Sequence, residues 1–168
     1  PTPIARGRLT LDPRKHLDPL GVIAILLTNF GWGKPAPYDP YNLKDPVRDS
    51  ALIAVSGAVV NLAIALILAI LVRFVPLPAA WIGLGISQLL VVNIYLAIFN
   101  LIPVKPLDGS KVLVAFLPKQ TAIEYERFMD RYGLMVLILL LLPIADGRSP
   151  ITTLIQPIAN FIIHLLLG

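Results

Sequence analysis

The segment NLIPVKPLDGSKVL, residues 100–113, sets one carboxylate, Asp108, behind two prolines at the end of a long uncharged run. Ionisable groups near membrane depth are costly and usually serve a function, such as binding a metal or carrying a proton. A structural reading competes. Asp ahead of Gly-Ser-Lys-Val-Leu is also a good N-cap for a helix starting at Gly109, and spacing alone leaves both open. Asn61 lies deep in the preceding apolar run, four residues after Gly57. Lipid offers its amide no partner, so a hydrogen bond between helices beside a small-residue contact is the simplest account. The same account serves Gln88 and Asn93. His16 and His164 are the only histidines, far from the i, i+4 spacing of a zinc-binding pair. His16, in a cationic loop, reads as a surface or interfacial residue, and His164 as a structural hydrogen-bonding group. No Ser/His/Asp arrangement or glycine-rich phosphate loop is present. The absence of cysteine rules out disulfides and thiolate metal sites.

The elements that must position these groups are membrane helices. The chain is 57% hydrophobic and 14% charged, with mean hydropathy +0.79, whereas soluble domains carry about 25% charged residues. Ala51 to Val72 contains no ionisable side chain, and Phe74 to Val104 contains only the phenol of Tyr95. Each run is long enough for a crossing, which takes about 20 apolar residues. Pro76, Pro78 and Pro103 mark the ends, so spans are predicted over Ser50–Phe74 and Ala79–Ile102. Glu124, Glu126, Arg127, Asp130 and Arg131 predict a short helix outside the membrane. Tyr132–Ala145 is a leucine-rich run that crosses with help from its neighbours. Residues 150–168 form a last apolar stretch. Residues 19–33, broken by Gly21, Asn29, Gly31 and Gly33, are short for a crossing and read as re-entrant or interfacial. The expected fold is an all-α polytopic membrane protein of about four transmembrane helices plus that N-terminal segment. The length suits one membrane-embedded domain over residues 1–168.

The net charge of +4 does not point to nucleic acid, because the basic residues sit at the ends of apolar segments, as membrane anchors do. Arg6, Arg8, Arg14, Lys15, Lys34, Lys44 and Arg48 lie in residues 1–50. Lys105, Lys111, Lys119, Arg127 and Arg131 lie in residues 103–132, leaving Arg73 and Arg148 to the other face. Both basic segments are therefore expected in the cytoplasm. The opening Pro-Thr-Pro, in the middle of a polar segment, is what a fragment would show.

Several segments together resemble the site-2 protease family, the M50 peptidases, in their short bacterial form. GRLTLDPRKHLDPLG (residues 7–21) resembles the stretch after that family's zinc-binding helix, and FGWGKPAPYDPYNLKDP (residues 30–46) the loop that follows. SGAVVNLAIAL (residues 56–66) fits its Gly-x-x-x-Asn helix, NLIPVKPLDGSKVL matches its Asn-x-x-Pro…Leu-Asp-Gly signature, and YERFMDRYG (residues 125–133) also reads like the family. The resemblance implies an intramembrane zinc metalloprotease cutting in or near the transmembrane segments of membrane proteins in the bilayer. By it, Asp108 is the third Zn2+ ligand, Asn61 and Asn100 lie near the site, Asn61 holding substrate backbone, and residues 7–35 line the substrate path. The family's HExxH, which supplies two histidine ligands and the glutamate that activates water, should lie upstream of Gly7. The 168 residues do not contain it, so the domain is expected to be incomplete at its N-terminus, unable alone to hold zinc or to cleave. The rival readings are a catalytically dead relative that binds membrane proteins and a small transporter subunit. The long neutral stretches argue against the transporter.

Overall fold

The computed structural model describes residues 10, 12, 17, 19, 43–76, 78–143 and 147–168. Its compact units are Pro1–Pro46 and Val47–Gly168. The first includes a hydrogen bond from the Asp12 amide to Thr10 Oγ1 at 3.2 Å. Residues 20–42, which hold nearly all of the segment over 19–33 and the first part of the loop that follows, lie outside the described residues, as does His16.

The described helices run in the order α1 (Pro46–Phe74), α2 (Ala80–Asn100), α3 (Gly109–Phe116), α4 (Lys119–Leu141) and α5 (Pro150–Leu167), with no strand among the described residues. Their limits follow local chemistry. Proline occupies the first position of α1 and α5, where its missing N–H costs nothing. Asp49 in the first turn of α1 and Arg73 in its last turn complement the helix dipole. Ser149 caps α5, its hydroxyl oxygen accepting from the Thr152 amide. Leu117 and Leu142 turn extended because Pro118 and Pro143 follow them.

Three of these helices, α1, α2 and α5, are long and apolar enough to cross a membrane. At 1.5 Å per residue they measure about 43, 31 and 27 Å against a hydrocarbon core of about 30 Å. Only 17% of each apolar window is buried inside the protein. Leu52, Val60, Ile67, Leu84, Leu154, Phe161 and Leu165 all face outward. An apolar surface this extensive suits lipid, since soluble proteins rarely show contiguous apolar patches beyond a few hundred Å². Trp81 and Phe74, both strongly exposed, flank the turn between α1 and α2, where aromatic side chains anchor at an interface.

One expectation is corrected. The separate external helix and the leucine-rich run from Tyr132 are a single helix, α4, because no proline or capping residue interrupts them and Gly133 is carried inside it. Its apolar part, Tyr132–Leu141, is only about 15 Å long at helical rise, half the core thickness. Among the described residues, three helices are long and apolar enough to cross a membrane.

The core gathers Ala65 and Ala69 from α1, Leu90 and Ile94 from α2, Leu137 from α4, and Ile151, Ile155 and Ala159 from α5. The i, i+4 repeats place each group on one helix face. In lipid this packing works through close van der Waals fit rather than through exclusion of water. Ile102, Val104 and Leu107, from the turn between α2 and α3, join the same cluster.

Candidate functional site: the turn that carries Asp108

The chain leaves α2 at Asn100 and enters α3 at Gly109 through a tightly bonded turn. Leu101 and Ile102 amides donate to the Ile98 and Phe99 carbonyls at 3.1 Å each. The Val104 amide donates to Ile102 O and the Leu107 amide to Val104 O, both at 2.8 Å. The Lys105–Pro106 peptide bond is cis. Ile102, Val104 and Leu107 are buried in the core, so the turn is fastened from inside along its length.

The glycine of Leu-Asp-Gly has a steric reason. Gly109 is buried, and a Cβ there would run into the Leu101 carbonyl group and the Ile102 carbonyl oxygen. Both obstacles are backbone, so the entry to α3 presses directly against the exit from α2. Ser110, 2% exposed, donates its hydroxyl proton to Leu107 O at 2.7 Å and closes the same knot.

Asp108 sits at the N-cap position of α3 but does not cap it. Its backbone is helical, φ −66° and ψ −27°, and its side chain accepts no capping hydrogen bond. Oδ1 instead accepts from Lys111 Nζ at 2.8 Å, an i, i+3 ion pair in which the Asp108 side chain remains 39% exposed. The competing cap role is thus not what the carboxylate does.

A second helix holds the turn from outside. Tyr125 Oη, on α4, donates to Pro103 O at 2.8 Å. One turn further, Asp130 Oδ1 pairs with Lys105 Nζ at 2.7 Å. At Gly133 the helix backbone approaches so closely that a Cβ would lie 2.8 Å from Lys105 O. Burial raises the Tyr125 pKa above its usual 10.0, and the neighbouring Glu126 charge adds to the rise, so the phenol stays a donor. These contacts give YERFMDRYG its structural meaning. The sequence alone assigns that segment no physical role.

The remaining sequence-derived candidates are less closely tied to Asp108. Asn100 ends α2, half-buried, at the start of the same turn. Asn61 is half-buried on α1, about 22 Å along the axis from Pro46 at helical rise. Neither shares a hydrogen bond with Asp108 among the described residues. Asn93 does not join helices as expected, because its amide donates to Leu89 O of its own helix at 2.8 Å. Gln88 is exposed. His164 is exposed in the last turn of α5, and its side chain makes no hydrogen bond among the described residues, contrary to expectation. The Asp108–Lys111 pair was legible in principle from opposite charges at i, i+3.

As a donor set, the described residues contain no cluster of three or more His, Cys, Asp or Glu that could hold a metal ion. Asp108 fits as one oxygen ligand, since one of its oxygens is held by an ammonium and the carboxylate is neither buried nor spent on a cap. It does not make a zinc site by itself, because zinc needs about three protein ligands.

Residues 80–143, from the start of α2 to just beyond α4, match the model described as "Peptidase family M50". The chain is 34% identical over 143 residues to the Bacillus subtilis protein named "Putative zinc metalloprotease YwhC", covering 80% of this chain and 65% of that protein. It is 30% identical over 149 residues to "Putative zinc metalloprotease Rip2" of Mycobacterium tuberculosis, covering 84% of this chain and 57% of the relative. The chain thus spans less than two thirds of the length of either. No solved structure matches it.

Proposed function

Because the chain belongs to peptidase family M50, we propose that its whole protein is an intramembrane zinc metalloprotease of the site-2 type. It hydrolyses peptide bonds in or near transmembrane segments of membrane proteins. The observation that carries this reading is Asp108: a half-exposed carboxylate at the end of a span, on a doubly fastened turn, with no capping duty. Asp is an ordinary zinc ligand beside two histidines. The other two ligands and the general base belong to an HExxH helix, a motif the 168 residues do not contain. Zinc held there supplies the Lewis acidity that amide hydrolysis requires.

This chain's own residues have distinct parts in that reading. Asp108 contributes the anionic ligand. Lys111 holds one carboxylate oxygen at 2.8 Å, as hydrogen bonding commonly orients carboxylates that would bind a metal. Asn61 holds the extended substrate backbone, and Asn100, at the start of the Asp108 turn, lines the substrate site beside it. The apolar outer surfaces of α1, α2 and α5 keep the domain in the bilayer, where it meets its substrates. Residues 1–50 and 103–132 face the cytoplasm, which puts Asp108 at the cytoplasmic end of α2.

Metal content and cleavage, measured side by side on the full-length protein and on the 168-residue chain alone, test the proposal. The full-length protein is expected to hold one zinc and to cleave a transmembrane substrate, and the isolated chain to do neither. Stoichiometric zinc in the isolated chain, or full-length protein without zinc, would contradict it.

A further inference from the structure

We propose that one face of α4, formed by Tyr125, Asp130 and Gly133, is a positioning device that sets where the Asp108 carboxylate stands. The inference rests on the ligand role of Asp108 proposed above and assigns work to residues that do not touch the metal. Tyr125 fixes the Pro103 carbonyl, Asp130 fixes the Lys105 ammonium, and Gly133 seats the Lys105 backbone. The short segment that remains before Asp108 is stiff. The Leu107 amide is bonded to Val104 O, Leu107 is buried, and Gly109 is jammed against the end of α2. A displacement imposed at Lys105 therefore travels to Asp108.

Two observations separate this role from plain fold maintenance. First, α4 is already held by apolar packing, with Leu137 in the core and Val136 and Leu140 packed against it. Second, the Lys105–Asp130 pair is exposed on the acid's side, Asp130 being 67% accessible, and exposed ion pairs add little stability. Replacing it therefore perturbs the turn at Lys105 with little cost to the fold. A metal ligand has to be held within about 0.5 Å of its productive position, and the Gly133 contact works on that scale. With a Cβ 2.8 Å from Lys105 O, the turn has to withdraw by about half an ångström, which is the whole tolerance.

The test uses the full-length protein. Zinc affinity is read by chelator competition, and the unfolding midpoint of the zinc-free form is read in parallel. Gly133→Ala should weaken zinc binding by about 10- to 100-fold, the usual cost of disturbing groups that orient metal ligands. Its zinc-free midpoint should fall as well, because the obstacle at Lys105 O is backbone. The separation from fold maintenance is therefore read on the exposed Lys105–Asp130 pair, whose loss costs little stability. Gly85→Ala, where an added Cβ meets nothing within 4 Å, controls for glycine replacement and should leave affinity unchanged. Asp130→Lys should weaken binding, and the exchange of Lys105→Asp with Asp130→Lys should restore it. Parent-like zinc affinity in both Gly133→Ala and Asp130→Lys would overturn the proposal. So would an affinity loss that the charge exchange fails to restore and that matches an equal loss of zinc-free stability. Asp108→Asn, run in the same assay, separates the two levels. If it loses zinc while the α4 variants keep it, only the positioning role falls. If it binds as the parent does, the ligand assignment and the positioning role fall together.

Discussion

Gly109→Ala puts the geometry of the Asp108 turn to a severe test. The added Cβ meets the Leu101 carbonyl group and the Ile102 oxygen. Neither can rotate aside, because the Leu101, Ile102 and Val104 amides tie this stretch to α2 and to itself. Overpacking against movable side chains costs about 1–3 kcal/mol, and a backbone obstacle belongs at or above the upper end. Replacing glycine also stiffens the unfolded chain, which returns at most about 1 kcal/mol. The net expectation is a loss of about 2–3 kcal/mol. Gly85→Ala, with open space around its Cβ, should instead gain up to about 1 kcal/mol from helix propensity. Reversible unfolding in mixed micelles, followed by circular dichroism, measures both variants against the parent. A Gly109→Ala protein within about 0.5 kcal/mol of the parent, the ordinary scatter of harmless substitutions, would refute the close approach of α3 to the end of α2.

Three further outcomes follow from the same structure. Tyr125 has a raised folded pKa, so its contribution is complete below the phenol's usual 10.0 and is lost as pH climbs from there through the folded value. Tyr125→Phe should lower stability by about 1 kcal/mol at neutral pH, as one hydrogen bond is worth, and flatten the alkaline fall in a pH-resolved unfolding series. Asn61 makes no side-chain hydrogen bond to another helix among the described residues, so Asn61→Ala should change stability by less than the roughly 1 kcal/mol of such a bond, yet cut turnover in the full-length protein. Unimpaired cleavage would return Asn61 to a purely structural role. Single cysteines at Asp39 and Gln120 should resist an impermeant thiol reagent in intact cells while one at Pro78 reacts, and the opposite pattern would reverse the orientation.

The spans were legible because lipid allows few choices. Uncharged runs bounded by Pro76, Pro78 and Pro103 became α1 and α2 within a few residues of the expected limits. The joining of the polar segment to the leucine-rich run in α4 was not legible, since a change from polar to apolar composition does not itself end a helix. Asn93 found its partner one turn back on its own helix, which relieves an amide in lipid without any neighbouring helix. At the candidate site, the sequence pointed to Asp108 and to the helix start at Gly109, but suggested a cap that the carboxylate does not make. The contacts holding the turn were invisible beforehand. They join Pro103 to Tyr125 and Lys105 to Asp130 and Gly133, pairs too far apart in the chain for any local pattern to link.

Zinc content of the full-length protein carrying Asp108→Asn addresses the central claim most directly. The substitution keeps size and shape, and asparagine caps helices about as well as aspartate, so α3 is preserved under either reading. What disappears is the negative charge of one of three ligands. Purified, dialysed protein assayed for metal and for cleavage is expected to show markedly lower zinc occupancy, with turnover falling in step and the fold unchanged. Full zinc occupancy with full activity in Asp108→Asn would contradict the assignment of Asp108 as a metal ligand.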